Sequence, residues 1–414
     1  MFAHDLYYSQ INILGLLSTC IEKTEQSLRL VGVVRLRLGE RYNKSSIVNI
    51  QFRLARVGIL NEKESRETRF LKKSINEGSD TMATMKALQI TKIHESQLIT
   101  LDRPEPGPNE VLIKVMASGI CGTDIHILEG GFVADYPVIP GHEFAGIVEQ
   151  VGTAVSRIEP GDHVAVEPNI ACDNCSYCLN NQQNFCENWQ AVGVTLPGGM
   201  AEYVVAPENA VFPIGDLEFE EGAFVEPLSC VLHGVQKARI RLADHVVILG
   251  AGPIGNLLFQ TVKVQGARSV TVVEPDQARA DFAKEAGADQ ICRSLDDLPG
   301  EAFEVVIDAT GVIPVMMRTP EFARKGGTIL LFGVPPKTKV AFEAFTLFIK
   351  GLTILTSFTS VRNSIQAIGL LKNRRINVKQ LVSHRLPLTA FEQGVNLIKN
   401  KQENVKKVLI TPNS

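Results

Sequence analysis

No apolar run in this 414-residue chain approaches the roughly 18 to 20 residues that a membrane-spanning helix requires, so no membrane partner is expected. An excess of one charge sign is also missing. The formal net charge of −3 gives no electrostatic reason to expect nucleic acid or an acidic membrane surface as a partner. Cysteine is scarce outside one short stretch: four of the eight fall at Cys172, Cys175, Cys178 and Cys186, which reads as a metal site rather than a disulfide framework. A secretory signal is not convincing either. The apolar segment Ile11 to Cys20 follows Asp5 where basic residues belong, and no small-x-small cleavage site comes after it, so a cytoplasmic protein is expected.

What the chain does have is size and an ordinary soluble composition, with 45% hydrophobic and 21% charged residues. That length exceeds what one core accommodates, so two domains are the default. Residues 1–84 differ from the rest: they contain no proline, many arginines and a net charge of about +4. They hold no motif. Met82 and Met85 stand just before Lys86-Ala-Leu-Gln-Ile, the start of the first convincing strand, so this extension is expected to be upstream sequence, not native to the working protein or disordered. A targeting or docking role is the alternative, and its acidic residues argue against a transit peptide.

From Leu112–Val115, Val138–Ile139 and Ile147–Val151, β-branched runs alternate with Gly and Pro, which predicts a compact β-rich domain. The pattern changes after Glu221. A helical stretch to about Arg241 leads into His245–Leu249, and strand candidates recur at Ser269–Glu274, Phe303–Ala309, Thr328–Phe332 and Leu352–Thr356. Alternating strands and helices predict an α/β, doubly wound parallel sheet. The closing strand Lys407–Thr411 is expected to return to the first domain. The domains are therefore drawn as 85–231 with 360–414, and 232–359.

Gly250-Ala-Gly252-Pro-Ile254-Gly255 follows an apolar strand and opens a helix, the context a dinucleotide fingerprint requires. Its glycines allow a tight turn and close backbone approach to a pyrophosphate at a helix N-terminus. Glu274 ends the next strand, where a carboxylate accepts hydrogen bonds from the adenosine ribose hydroxyls; that favours NAD over NADP. Arg279 either reaches the ribose or adenine side or solvates its own helix. Asp308–Gly311 and Phe332–Val334 sit at later strand ends and are expected to line the nicotinamide side.

The four-cysteine stretch offers thiolates at spacings that let one loop close around a Zn2+ ion with no open position, a structural site. A catalytic metal needs an open position. Gly119-Ile-Cys121-Gly-Thr123-Asp124-Ile-His126 and Gly141-His142-Glu143 supply sulfur, nitrogen and oxygen candidates at Cys121, His142 and Glu143. Glu226, in Val225-Glu-Pro-Leu-Ser-Cys230, is a fourth candidate, direct or through water.

At these residues the sequence resembles the zinc-containing alcohol dehydrogenase family, the medium-chain dehydrogenases, from Met85 to the C-terminus. Gly141-His-Glu-x2-Gly146-x5-Gly152-x2-Val155 matches the family's zinc signature, and Glu226-Pro-Leu-Ser is similar to its polyol branch, typified by sorbitol dehydrogenase. The resemblance implies a GroES-like catalytic domain plus a Rossmann domain, with one catalytic and one structural zinc and NAD as cofactor. It further implies Cys121, His142 and Glu143 as catalytic-zinc ligands with Glu226 nearby, Asp124 holding the His142 ring, Thr123 and His126 as a proton relay, and Glu274 and Arg279 at the ribose. Two positions depart from sorbitol dehydrogenase: Ile127 replaces an aromatic residue, and Thr359-Ser360 stands where an Arg-Tyr pair is expected. Hydride transfer from the CH-OH group of a small-molecule alcohol, a polyol or sugar-derived alcohol, is thus the implied reaction. A threonine-type or simple secondary-alcohol dehydrogenase shares every motif, and a non-catalytic NAD- and zinc-binding protein is the alternative outside enzymes. The family implies a homotetramer or homodimer.

Overall fold

The computed structural model describes residues 83–413; the expected extension over 1–84 falls almost wholly outside them. Among these residues the chain opens with a hairpin of β1 (Thr84–Lys92) and β2 (Glu95–Asp102). The strands β3 (Glu110–Gly119), β4 (Glu143–Val151) and β5 (His163–Val166) follow, then the short pair β6 (Asn169–Ile170) and β7 (Gln190–Ala191), and β8 (Tyr203–Pro207) and β9 (Val211–Pro213). Strands β10 (His245–Leu249), β11 (Ser269–Val273), β12 (Gln290–Cys292), β13 (Phe303–Asp308), β14 (Ala323–Leu331) and β15 (Thr353–Thr356) build the second sheet, and β16 (Val382–Leu386) and β17 (Lys407–Ile410) close the chain.

The second sheet runs β12-β11-β10-β13-β14-β15, with every pairing parallel. Chain order reverses between β10 and β13, which makes a crevice at the C-terminal ends of those two strands. Val246, Val247 and Ile248 are fully buried, as expected of a strand covered by helices on both faces. The first sheet runs β16-β17-β3-β4-β5-β9, and β8 pairs with β3. Here β17 pairs antiparallel with β3 through Leu409 opposite Gly119, so the tail lies beside the strand that leads into Cys121. No described helix is long and apolar enough to cross a membrane.

Three local readings differ from expectation. Val138 and Ile139 form no named strand; Val138 makes an isolated bridge to Ile90, because Pro137 and Pro140 on either side lack the N–H donors a ladder needs. The helical stretch after Glu221 divides into Phe219–Gly222 and Val225–Ala238. Strand β14 starts at Ala323, five residues before the expected Thr328, with an irregular register against β13.

Candidate active site

Strand β3 ends at Gly119, and the chain turns at Cys121 into the helix Gly122–Leu128. Asp124 closes that turn. Its Oδ2 accepts from the Cys121 backbone N–H at 2.8 Å and its Oδ1 from the Gly141 N–H at 3.2 Å, so one fully buried carboxylate ties the two candidate ligand loops together. Gly141 has φ +97°, and a Cβ there would lie 2.7 Å from the Met200 backbone nitrogen, so glycine is required at this turn. His142 follows, and Glu143 starts β4 opposite Gly119.

These loops gather Cys121, His142 and Glu143 so that one donor atom from each lies within 4.8 Å of the others. A single four-coordinate zinc with bonds of about 2.0–2.3 Å spans such a set, so sulfur, nitrogen and oxygen donors fit the metal in kind and spacing. His142 is buried with Nδ1 facing Asp124 Oδ1 at 3.5 Å. Burial pushes its pKa down, but Asp124 and Cys121 outweigh that and hold it well above the ordinary histidine value. A metal would take the place of that proton.

Lys407, which sequence reasoning missed, donates from Nζ to Glu143 Oε2. Both side chains are buried, and β17 carries the lysine there from 264 residues downstream. The expected return of the tail was its only trace in the sequence. Glu226, in the first turn of Val225–Ala238, lies outside the three-donor set; its Oε1 accepts from Cys230 Sγ at 3.2 Å. Burial pushes the Glu226 carboxyl up to about 7, with Glu143 and Glu167 adding to the rise and His142 opposing it. Thr123 and His126 are half-buried on the helix Gly122–Leu128, three residues apart and so on one face.

The four sulfurs of Cys172, Cys175, Cys178 and Cys186 likewise lie within 4.8 Å of one another. Cys186 Sγ accepts from the backbone N–H groups of Cys172 and Asn188, both at 3.3 Å. A backbone hydrogen bond at Asn174 draws the Cys172 thiol down to about 6, while burial pushes Cys178 up to about 12. Four thiolates at this spacing need a cation to coexist, and tetrahedral zinc suits an all-sulfur set.

In the second sheet Gly250 turns at φ +103° and Gly252 caps the helix Pro253–Gln265, with Pro253 at its first position. A Cβ on Gly255 would stand 2.0 Å from the Gly250 carbonyl oxygen, so the helix packs against the loop only as glycine. Glu274 is buried and holds the loop: Oε2 accepts from Ala251 N–H at 2.8 Å and Oε1 from Asp276 N–H at 3.0 Å. Ile254 packs against the hydrophobic core beneath the loop. The Arg279 guanidinium donates to the Val405 carbonyl at 3.3 Å, so it reaches the C-terminal tail. Val334 is exposed, and its carbonyl approaches Gly311 so closely that a Cβ there would meet it at 2.4 Å.

Residues 107–216 match the alcohol dehydrogenase GroES-like domain, and residues 253–373 match the zinc-binding dehydrogenase domain. D-arabinitol dehydrogenase 1 of Uromyces fabae is 32% identical over 345 residues, covering 80% of this chain and 98% of that protein. The chain belongs to the zinc-containing alcohol dehydrogenase family. Another of its relatives, D-altritol 5-dehydrogenase of Agrobacterium fabrum, is 35% identical over 313 residues, 74% of this chain and 93% of that one. Among solved structures, a zinc-binding dehydrogenase of Sinorhizobium meliloti bound to NADP superposes with a TM-score of 0.76 at 34% identity, covering 80% of this chain and all of that one. This family member is thus an α/β protein with a GroES-like domain and a parallel-sheet Rossmann-like domain.

Proposed function

We propose that the protein oxidises a secondary alcohol of a polyol or sugar-derived alcohol to the ketone, with NAD as hydride acceptor. The observation that carries this reading is the convergence of Cys121, His142 and Glu143 on one point beside the Gly119 turn. Relatives that act on D-arabinitol and D-altritol support the substrate class. Bound at those three donors, zinc would polarise the substrate hydroxyl, and NAD on the Gly250 loop would accept the hydride.

The chain's own groups do the rest. Asp124 fixes both ligand loops and faces the His142 ring, which orients the imidazole. Thr123 and His126, both half-buried on one helix face, would carry the hydroxyl proton away. Glu226 stands beside the three donors as a further carboxylate, direct or water-mediated. We draw the domains as 85–231 with 360–414, and 232–359, which would put these groups and the cofactor loop in different domains; the first boundary falls within the helix Val225–Ala238, so that helix would join the two. NAD rather than NADP follows from Glu274, since a 2'-phosphate would meet that buried carboxylate. One zinc at Cys121, His142 and Glu143 and a second at the four cysteines complete the proposed cofactor set.

A homodimer or homotetramer is the assembly we propose. Phe345, Phe348 and Ile349 are exposed on the helix Ala344–Lys350, close to the open edge of β15, which is the kind of surface a second copy covers. A cytoplasmic location is proposed with this reading. The functional reading is tested by NADH formation from zinc-replete protein with pentitols, hexitols, inositols, threonine and simple secondary alcohols, repeated after chelation and with NADP. Chelation-sensitive turnover of a polyol with NAD supports it; turnover only of threonine or simple alcohols, or none at all, overturns it.

A further inference from the structure

Asn256 is the first residue after the glycine fingerprint, on the helix Pro253–Gln265, and it is buried at 1% exposure. Its side chain turns back on the loop. The amide Nδ2 donates to the Ala251 carbonyl at 2.9 Å and to the Gly252 carbonyl at 3.3 Å. Both partners are acceptors, so only the NH2 side of the amide can face them. Its Oδ1 is left buried with no hydrogen-bond partner among the described residues. An unpaired buried acceptor opposes folding, and a leucine of similar size would avoid it, so the two bonds from Nδ2 need a reason beyond packing.

That reason lies in how the loop peptides point. Ala251 is held from both sides: its N–H donates to Glu274 Oε2 at 2.8 Å, and its carbonyl accepts from Asn256. The Ala251–Gly252 bond is trans, and a trans peptide points its N–H and C=O in opposite directions. With the Ala251 carbonyl drawn to Asn256, the Gly252 N–H points away from the interior. The Gly252 carbonyl is drawn in as well, by Nδ2 and by the Asn256 N–H at 2.9 Å. The N–H groups of Gly252, Ile254 and Gly255 take no acceptor among the described residues. The loop therefore shows N–H groups to a ligand and keeps both carbonyl oxygens away from it, the polarity that a diphosphate needs at a helix start.

We infer that Asn256 is a positioning residue for the cofactor: by holding the Ala251 and Gly252 carbonyls inside, it aims the Gly252 N–H at the pyrophosphate before NAD arrives. The inference rests on the reading of the Gly250 loop as the cofactor site and adds to it a residue outside the glycine pattern. The unpaired Oδ1 is retained because no apolar side chain could donate to the two carbonyls. A hydroxyl would not replace the amide either. Ser229 and Thr261 each donate to the carbonyl four residues back, Val225 and Leu257, so a serine at 256 would reach Gly252 and release Ala251.

The test uses the zinc-replete full chain with N256L, which substitutes an apolar group of similar size, and N256S, which keeps a donor for Gly252 alone. In both variants the dissociation constants of NADH and of ADP-ribose, read by fluorescence titration and calorimetry, should rise by about 10-fold or more, because both ligands carry the pyrophosphate. The KM for NAD should rise in step, while kcat at saturating NAD and the KM for the polyol stay within about 2-fold. A packing role would move a different readout. The melting temperature of cofactor-free N256L should stay within about 4 °C of the unsubstituted protein. If N256L does not fold, N256S decides. NADH affinity within about 3-fold of the unsubstituted protein in either folded variant, a larger fall in the N256L melting temperature, or failure of both variants to fold overturns the inference and leaves the dehydrogenase standing. An unsubstituted chain that binds no NADH overturns the cofactor reading and the inference with it.

Discussion

Replacing Lys407 with methionine removes a buried cation from Glu143 while keeping most of the side chain's bulk. Breaking a buried ion pair from one side typically costs about 3–5 kcal/mol, because the remaining charge is left without a partner. Zinc at Cys121, His142 and Glu143 would supply the missing positive charge. The K407M loss should therefore fall below about 1 kcal/mol in zinc-loaded protein, and by linkage zinc should bind the variant on the order of 100-fold more tightly. Urea unfolding at pH 7 with and without zinc, and chelator competition, provide the readouts. An equal loss in both zinc states, or weaker zinc binding by K407M, would refute this reasoning.

Gly255→Ala places a methyl 2.0 Å from a backbone oxygen, so the cofactor loop must move; NADH affinity should fall by about 10-fold or more, measured by fluorescence titration, while the circular dichroism spectrum is kept. Cys178→Ser removes one of four clustered sulfurs, and elemental analysis should show the loss of one zinc per chain together with a lower melting temperature.

The local parts of this account were legible because their chemistry is local. The four cysteines span a single loop, the glycine fingerprint sits between one strand and one helix, and β10 coincides with the expected His245–Leu249. What escaped depends on chain segments far apart. Lys407 meets Glu143 only because β17 pairs beside β3, and Glu167 collects Ser360 and Ser364 from nearly two hundred residues away. No spacing rule carries such partners, since they follow from how the return of the chain packs. The Val138–Ile139 segment misled for a local reason: its β-branched composition suits a strand, and the flanking prolines remove the donors that would make it one.

The central claim is that Cys121 belongs to the metal centre that activates the alcohol, and Cys121→Ser tests it most directly. Turnover of the best polyol should fall by on the order of 1,000-fold or more, with NADH affinity unchanged and the zinc of the four-cysteine lobe retained. A folded C121S protein that keeps full activity would contradict the account.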